Sequence, residues 1–329
     1  MLRIFFGVLS LVVFLIACEQ SNSSYLPGYS GNSGEIILVI NDSHFEQAKE
    51  TVYQTIGRYQ HGLPQQEQVF SIVNIPHKNF SQIFKVNRNI IVADIAPNNV
   101  QSVEIKKNQW AKEQLVVHIT AGSVETFKKL LFENSDELLY KFQNIEIKRL
   151  INRNLKFGLE KSLDRHHLKL TLQEGAGIVM DSSDVVWIRL ERERPVGGTM
   201  HQISQGLLIY HRPYNDTLQF NSEELIKFKD AITKKYIPGP LEGSFMTTSK
   251  KYILPMSKPV TLNGRYAVRT TGLWRMQNAH MGGPFVSLTV LDEKRARLVT
   301  IEGYVFAPQF NKREFLREVE AMARSVSFY

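Results

Sequence analysis

The sequence predicts an α+β protein made of two halves, and three observations support this prediction. An unbroken apolar run, 36–40, is followed directly by a helical pattern, 45–56, so the chain opens with β-α-β alternation. Beyond residue 158, apolar and polar residues alternate, as they do in antiparallel strands with one wet face. Each half ends in a helix that can fold back onto its sheet. We therefore expect each half to be a mostly antiparallel or mixed sheet with helices packed on one face.

The first half, 34–157, contains five strand patterns and four helix patterns. The run Ile36-Ile37-Leu38-Val39-Ile40 predicts a strand that is buried on both faces. Ser43 and Glu46 have the spacing of a capping box for the first helix. Further strands are expected at 69–73, 89–93, 100–105 and 115–120, with a short helix at 77–84. Two helices, 123–132 and 135–155, should close this half, with Asn134 and Ser135 as an interruption or a new cap.

The second half, 158–329, begins with alternating strands, and Pro238-Gly239-Pro240 then indicates a turn or linker. Helical spacing of apolar residues predicts a helix over 222–235. Three long strands are expected at 266–276, 285–292 and 297–306. A final helix should follow, capped by Asn311 with Glu314 three residues later.

The most specific signal lies at the start of the chain. Arg3 precedes an apolar run, 4–17, that ends at Cys18, the one cysteine among 329 residues, and a polar stretch follows. Leu15-Ile16-Ala17-Cys18 resembles the lipobox of bacterial lipoproteins. That resemblance implies cleavage before Cys18, a diacylglyceryl thioether on its sulfur and acylation of the new amino terminus. The alternative is an uncleaved signal anchor, although the run is shorter than the roughly 20 residues of a membrane-spanning helix.

The predicted organisation is therefore a lipoprotein signal peptide at 1–17 and a flexible tether at 18–33, followed by the two halves. The tether prediction rests on the Ser, Asn, Gly and Pro residues of this segment, and order is expected to begin at Gly34. With no second cysteine, no disulfide can form within the chain, so stability must come from apolar cores. Glu19 after Cys18 resembles the residues of outer-membrane lipoproteins, which indicates an anchored protein of the cell envelope, facing the periplasm.

The formal net charge is +8, which favours anionic partners such as lipid phosphates, acidic glycans or an acidic protein. Nucleic acid is not expected in an envelope compartment. A solvated basic surface without a partner explains the charge equally simply, since the chain has no block of five or six like charges.

Several segments carry a family resemblance. The longest are Gly272-Leu273-Trp274-Arg275-Met276 and Met281-Gly282-Gly283-Pro284-Phe285, and others are Gly34-Glu35-Ile36-Ile37, Arg88-Asn89-Ile90-Ile91, Gly206-Leu207-Leu208-Ile209-Tyr210 and Tyr236-Ile237-Pro238-Gly239-Pro240. With the lipobox, they resemble an uncharacterised lipoprotein family of the Bacteroidetes, a domain of unknown function of about 330 residues that spans nearly the whole chain. The resemblance implies a location and the extent of the fold, and it names no catalytic residue.

The best candidate for a contact surface is the tract 265–285, in which Arg269, Trp274, Arg275 and His280 combine cations with aromatic surface. The alternative is that Trp274 packs into the sheet, the arginines form ordinary ion pairs, and Gly282-Gly283-Pro284 is a turn. In an unbroken strand Arg269 and Arg275 share one face and Trp274 lies on the other, unless Gly272 introduces a bulge.

We find no His-Glu-x-x-His pattern, no Gly-x-Ser-x-Gly elbow and no glycine-rich phosphate loop, and we predict no metal and no cofactor. The sequence favours a lipid-anchored envelope protein that binds a protein, glycan or anionic lipid partner. Two alternatives stay open: an extracytoplasmic hydrolase that acts on cell-wall or envelope material, and a structural component of an assembly.

Overall fold

The computed structural model describes residues 26–329. The predicted signal peptide and Cys18 therefore lie outside the described residues, as does most of the predicted tether. Packing begins before Gly34: the backbone amide of Lys112 donates to the carbonyl of Pro27 (2.8 Å), and Ser30 forms a bridge with Asn87.

The N-terminal half is a mixed five-stranded sheet in the order β2-β1-β3-β5-β4, in which only β4 runs antiparallel to its neighbour. Its strands are β1 (Glu35–Val39), β2 (Ser71–Ile75), β3 (Asn89–Ile95), β4 (Ser102–Lys107) and β5 (Leu115–Ala121), and its helices are α1 (Asp42–Gln54), α2 (Gln82–Lys85) and α3 (Val124–Lys156). Helices α1 and α3 bury their apolar residues on one face, and Phe80, Phe84 and Trp110 cover the other. This confirms that β1 is buried on both faces.

Two helix boundaries differ from the prediction. Helix α1 begins at Asp42, and its cap position is Asn41, so Ser43 does not cap it. Helix α3 is continuous over 33 residues where two helices were expected. The side chains of Asn134 and Ser135 donate to the carbonyls of Leu130 (2.7 Å) and Phe132 (2.9 Å), so these polar residues are accommodated inside one helix.

The C-terminal half is built on an antiparallel sheet in the order β11-β13-β14-β15-β10-β9-β8, with β12 also paired to β13. Its strands are β8 (Gly177–Asp181), β9 (Val185–Val196), β10 (Thr199–Pro213), β11 (Phe245–Ser249), β12 (Met256–Leu262), β13 (Arg265–Gln277), β14 (Gly282–Asp292) and β15 (Arg297–Phe306). A small sheet of β6 (Glu160–Leu163), β7 (Leu168–Thr171) and β16 (Ser327–Phe328) completes it. The predicted α+β class is confirmed.

Helices α4 (Ser222–Tyr236) and α5 (Arg313–Arg324) pack against opposite faces of the long sheet. The sequence predicts helices on one face only, but the long strands bury side chains on both, and each face then needs its own cover. Glycines 282 and 283 belong to β14, so the expected turn at 282–284 lies earlier, at 278–281.

The predicted cap of α5 at Asn311 is wrong. The cap position is Lys312, and no side chain of its own segment caps the helix. The backbone amides of Lys312 and Arg313 instead donate to the carboxylate of Glu67 in the N-terminal half (2.6 and 2.9 Å). The two halves are thereby joined at the start of α5.

Among residues 26–329, no helix combines the length and the apolar character needed to cross a bilayer.

Candidate functional site

A cleft of about 640 Å³ lies between the two halves. One wall is a stripe of α3 that includes Asp136, Tyr140 and Gln143, at spacings that place them on one helix face. The β12–β13 hairpin forms the second wall, and α5 forms the third through Arg317, Glu320 and Arg324, while Arg58 and Gln60 come from the segment after α1. We refer to this site as the interdomain cleft.

Cations outnumber carboxylates in the interdomain cleft. Lys258 of β12 stands directly opposite Arg269 of β13 in the antiparallel register, an arrangement that is unfavourable for two like charges. Arg269 makes a two-pronged ion pair with Glu320 (Nε to Oε1 2.8 Å, Nη2 to Oε2 2.7 Å), and Arg324 Nε binds the same carboxylate (2.8 Å). None of the ion pairs among the described residues includes Lys258. Two arginines thus share one carboxylate, and Lys258 adds a third positive charge beside them.

The pKa values of this group follow from the geometry. Burial alone would raise the pKa of Glu320, but the charges of Arg269 and Arg324 hold the pKa of that carboxyl well below its ordinary range. Burial alone would lower the pKa of Arg269, and Glu320 outweighs that effect and raises it. Glu320 is therefore ionised at neutral pH, and its charge is already used by the two arginines.

His61 lies just outside the interdomain cleft, and its pKa is affected by the same charges. Burial, the charge of Lys258 and the charge of Arg269 together lower the pKa of the His61 imidazole. Its Nδ1 lies 3.4 Å from the hydroxyl of Thr271. An anion bound beside Lys258 and Arg269 would counteract the two charges and raise the pKa of His61.

Two partly exposed tyrosines border the interdomain cleft. Tyr140 on α3 is 50% exposed. Tyr266 on β13 is 57% exposed, but its ring packs against Phe220 (5.1 Å between ring centroids), on the face of the strand opposite Arg269. Arg58 pairs with Asp136 at the mouth (2.6 Å), and the side chains of both remain largely solvated. Phenol faces, amides and guanidinium groups together can bind a ligand that carries both negative charge and a polar ring such as a sugar.

Of the four residues that the sequence predicts as a contact surface, the structure places Arg269 in the interdomain cleft. The ladder between β13 and β14 runs without a bulge through Gly272, so Arg269 and Arg275 do share a face. Six residues of strand separate them by about 20 Å. Arg275 and His280 are exposed at the far end of the hairpin. The four residues therefore do not converge on one ligand.

The Trp274 side chain packs in the hydrophobic core of the C-terminal half. It is 2% exposed, packs on Tyr304 at a ring separation of 5.6 Å, and donates from Nε1 to the carbonyl of Val305 (3.1 Å). Its cross-strand partner is Gly283, where an added Cβ would overlap the Val305 carbonyl oxygen. The two longest segments of the family resemblance thus have a packing role at Trp274 and Gly283.

A second polar cluster lies beneath α4, in the core of the C-terminal half. Glu302 is fully buried, accepts from the hydroxyl of Tyr210 (3.0 Å), and lies 3.4 Å from the ammonium of Lys229. Burial raises the pKa of Glu302 and, together with the nearby Glu302 charge, raises that of Tyr210 far above its ordinary value. This cluster is sealed from solvent and is not part of the interdomain cleft.

Sequence reasoning missed most of the cleft residues. Lys258, Glu320 and Tyr140 lie in three segments that are far apart in the chain, and each resembles an ordinary surface residue of its own element. Helical spacing of 317, 320 and 324 was the one available signal. Among residues 26–329, no group of three or more His, Cys, Asp or Glu side chains is arranged to hold a metal ion.

The family of the chain is identified from its C-terminal half. Residues 157–325 match the profile of a domain of unknown function, DUF4837. The chain belongs to this family. Residues 30–155 match a second profile, the domain of unknown function DUF8532. The resemblance seen in the sequence implied one domain over nearly the whole chain, whereas two profiles cover that length.

No curated protein matches the chain in sequence. Solved structures show weak likenesses. The Ran-binding protein Mog1p of Saccharomyces cerevisiae is 12% identical, with a TM-score of 0.32 over 51% of this chain and 94% of its own. LpqN of Mycobacterium tuberculosis, described as involved in cell envelope biogenesis, is 13% identical, with a TM-score of 0.27 over 49% of this chain and 82% of its own.

Proposed function

We propose that the protein is a lipid-anchored binding module of the bacterial cell envelope whose interdomain cleft takes an anionic, sugar-containing ligand such as a phosphorylated glycan or a glycolipid headgroup. The observation that carries the proposal is the excess of positive charge where Lys258 faces Arg269. Glu320 is shared by Arg269 and Arg324, and an anionic ligand would supply the charge that this group lacks.

Tyr140 and the cleft amides supply the second half of the recognition. A sugar ring beside Tyr140 would contact its aromatic face, and the amides of Gln60, Gln143 and Asn144 would meet its hydroxyl groups. Because α3 and the β12–β13 hairpin belong to different halves, a bound ligand would bridge them.

The binding test uses glucose 1-phosphate as the probe, with glucose and inorganic phosphate as comparison probes, in calorimetric titrations. We expect glucose 1-phosphate to bind more tightly than either comparison probe and to weaken as salt is added. Lys258→Gln should weaken it about tenfold, as expected for loss of one charge-assisted contact. Tyr140→Ala should weaken it severalfold.

The matched controls are Lys294→Gln and Tyr252→Ala, which change exposed residues outside the interdomain cleft. They should leave the affinity within about twofold. Equal affinity for the three probes, or equal losses in the cleft variants and the controls, would overturn the proposed ligand class.

Anchoring is tested separately, through Cys18. Two or three acyl chains would hold the protein stably on a membrane, whereas one chain does so only marginally. Metabolic labelling with a palmitate analogue should mark the wild-type chain and leave Cys18→Ser unmarked. Equal labelling of the two chains, or labelling of neither, would refute the anchor without bearing on the cleft.

A further inference from the structure

We infer that the surface around the point where the chain enters the fold docks on anionic lipid headgroups. This entry surface comprises six exposed residues: Lys107 at the end of β4, Lys112 in the turn before β5, and, at the end of α3, Lys148, Arg153, Lys156 and Phe157. It lies on the N-terminal half and shares none of these residues with the interdomain cleft. The inference rests on the proposed anchoring for its distance argument and on the structure for everything else.

The first described residues of the chain contact the N-terminal half closely at the entry point. The ring of Tyr29 lies against the guanidinium groups of Arg88 and Arg149, with 4.7 and 5.0 Å from each central carbon to the ring centroid. Arg149 is itself buried, and it donates to the carbonyls of Arg88 (2.8 Å) and Glu113 (2.6 Å). The chain therefore leaves the fold at Pro27 in a defined place, next to Lys112.

The end of α3 brings further cations to that place. Arg149, Arg153 and Lys156 are spaced four and three residues apart, so they follow one helix face from Tyr29 outward. The neighbouring face carries Lys148 and Asn152, and Asn152 donates to the Glu113 carboxylate beside Lys112 (2.7 Å). Both faces thus border the entry point.

Four cations of the entry surface have no carboxylate partner in the part of the chain that the structure describes. Among the described residues, no carboxylate lies within ion-pair distance of Lys107, Lys148, Arg153 or Lys156, although exposed pairs occur elsewhere on α3, as between Lys141 and Glu137. Lys107 and Lys148 also line a concavity of about 380 Å³.

Large apolar side chains lie between the cations. Phe157 is 68% exposed and Leu155 is 44% exposed. A cluster of cations with exposed apolar side chains is the composition of surfaces that rest on an anionic bilayer, where the charges meet phosphates and the apolar groups enter the interface.

The length of chain before the fold matches this occupant. Eight residues, 19–26, lie between the proposed acylated cysteine and Pro27, and the nine residue steps span about 30 Å when fully extended. An anchored chain would therefore hold the entry surface within that distance of the headgroups. Even weak contacts would then form, because binding becomes intramolecular.

The experiment measures sedimentation of the chain with vesicles of phosphatidylcholine, with and without phosphatidylglycerol. It uses residues 26–329, which contain every strand of the three sheets and all five helices described above, and circular dichroism first checks that this chain is folded. We expect binding to phosphatidylglycerol vesicles at low ionic strength, little binding to phosphatidylcholine alone, and release by salt. The variant Lys148→Gln, Arg153→Gln, Lys156→Gln should bind roughly 100-fold more weakly, at about fivefold for each charge.

The matched control removes three exposed cations from the C-terminal half, Lys250→Gln, Lys251→Gln, Lys294→Gln, and should lose less than about threefold. Both variants change net charge equally, so an equal loss would show that net charge alone is responsible and would overturn the docking surface. Equal binding of the wild-type chain to the two kinds of vesicle would do the same. Because this chain lacks Cys18, either result is independent of the labelling test for the anchor.

Discussion

The carboxylate of Glu67 binds the backbone amides of Lys312 and Arg313, so a residue of the N-terminal half caps the last helix of the C-terminal half. The first amides of a helix have no partner within it, and a carboxylate there satisfies two donors and complements the helix dipole. Helix α5 carries Arg317, Glu320 and Arg324 into the interdomain cleft. The N-terminal half thereby positions a cleft wall that belongs to the other half.

Glu67→Gln should lower the free energy of unfolding by about 1–2 kcal/mol, because the amide can satisfy one of the two backbone donors and carries no charge. Urea unfolding at neutral pH measures this change. Glu174→Gln, on an exposed turn, is the control and should stay within about 0.5 kcal/mol. Equal stability of the two variants would mean that the cap is dispensable.

Glu320→Gln should destabilise the protein by about 3 kcal/mol at neutral pH, since it leaves Arg269 and Arg324 without their shared, mostly buried carboxylate. Because the folded-state pKa of Glu320 is depressed, its contribution is fully present above the unfolded-state pKa of about 4.5 and is lost as pH falls toward the folded-state value. The difference between wild type and variant should therefore shrink below about pH 4.

Urea unfolding of both chains at neutral and acidic pH tests this prediction. Glu137→Gln is the control, because Glu137 forms an exposed pair with Lys141 that contributes little. A gap between wild type and Glu320→Gln that is unchanged down to pH 3 would contradict the coupling to the two arginines.

Lys258→Gln should raise the pKa of His61 toward its ordinary value of about 6.5, because the Lys258 charge is one of the causes that lower it. The shift should be partial, since burial and Arg269 remain. A pH titration of the His61 ring resonances by NMR measures it. Lys294→Gln should leave the His61 titration unchanged. If Lys258→Gln gave the same titration curve as the wild type, the Lys258 ammonium would not be close enough to affect His61.

Gly283→Ala should destabilise the protein by about 3 kcal/mol, because its Cβ would overlap the Val305 carbonyl oxygen and press on the Trp274 indole. Gly177→Ala is the matched control, since Gly177 also lies in a strand but its added Cβ meets no atom within 4 Å. Thermal unfolding of the two variants compares them. Similar midpoints would show that the β14–β15 contact can relax.

Local pattern is enough to locate most of the elements. The unbroken apolar run at Ile36 identifies a doubly buried strand, and the alternating and long apolar segments identify β13, β14 and β15 nearly to their ends. Side-chain periodicity is a short-range property, so it can be seen without knowing the rest of the molecule. Helix ends are harder to predict, because Asn134 and Ser135 can either cap a helix or bond back inside one.

The features that the sequence did not predict come from contacts between residues that are far apart in the chain. Glu67 and Lys312 are 245 residues apart, and the Arg269–Glu320 pair joins a strand to a helix 51 residues later. The exposure and the pKa of these side chains depend on which elements contact each other. Those contacts are set by how the sheets and helices of the two halves pack. Residue types alone therefore predict an α+β protein with a basic surface and a lipid anchor, while the cleft, its shared carboxylate and the packing role of Trp274 follow from the assembled tertiary structure.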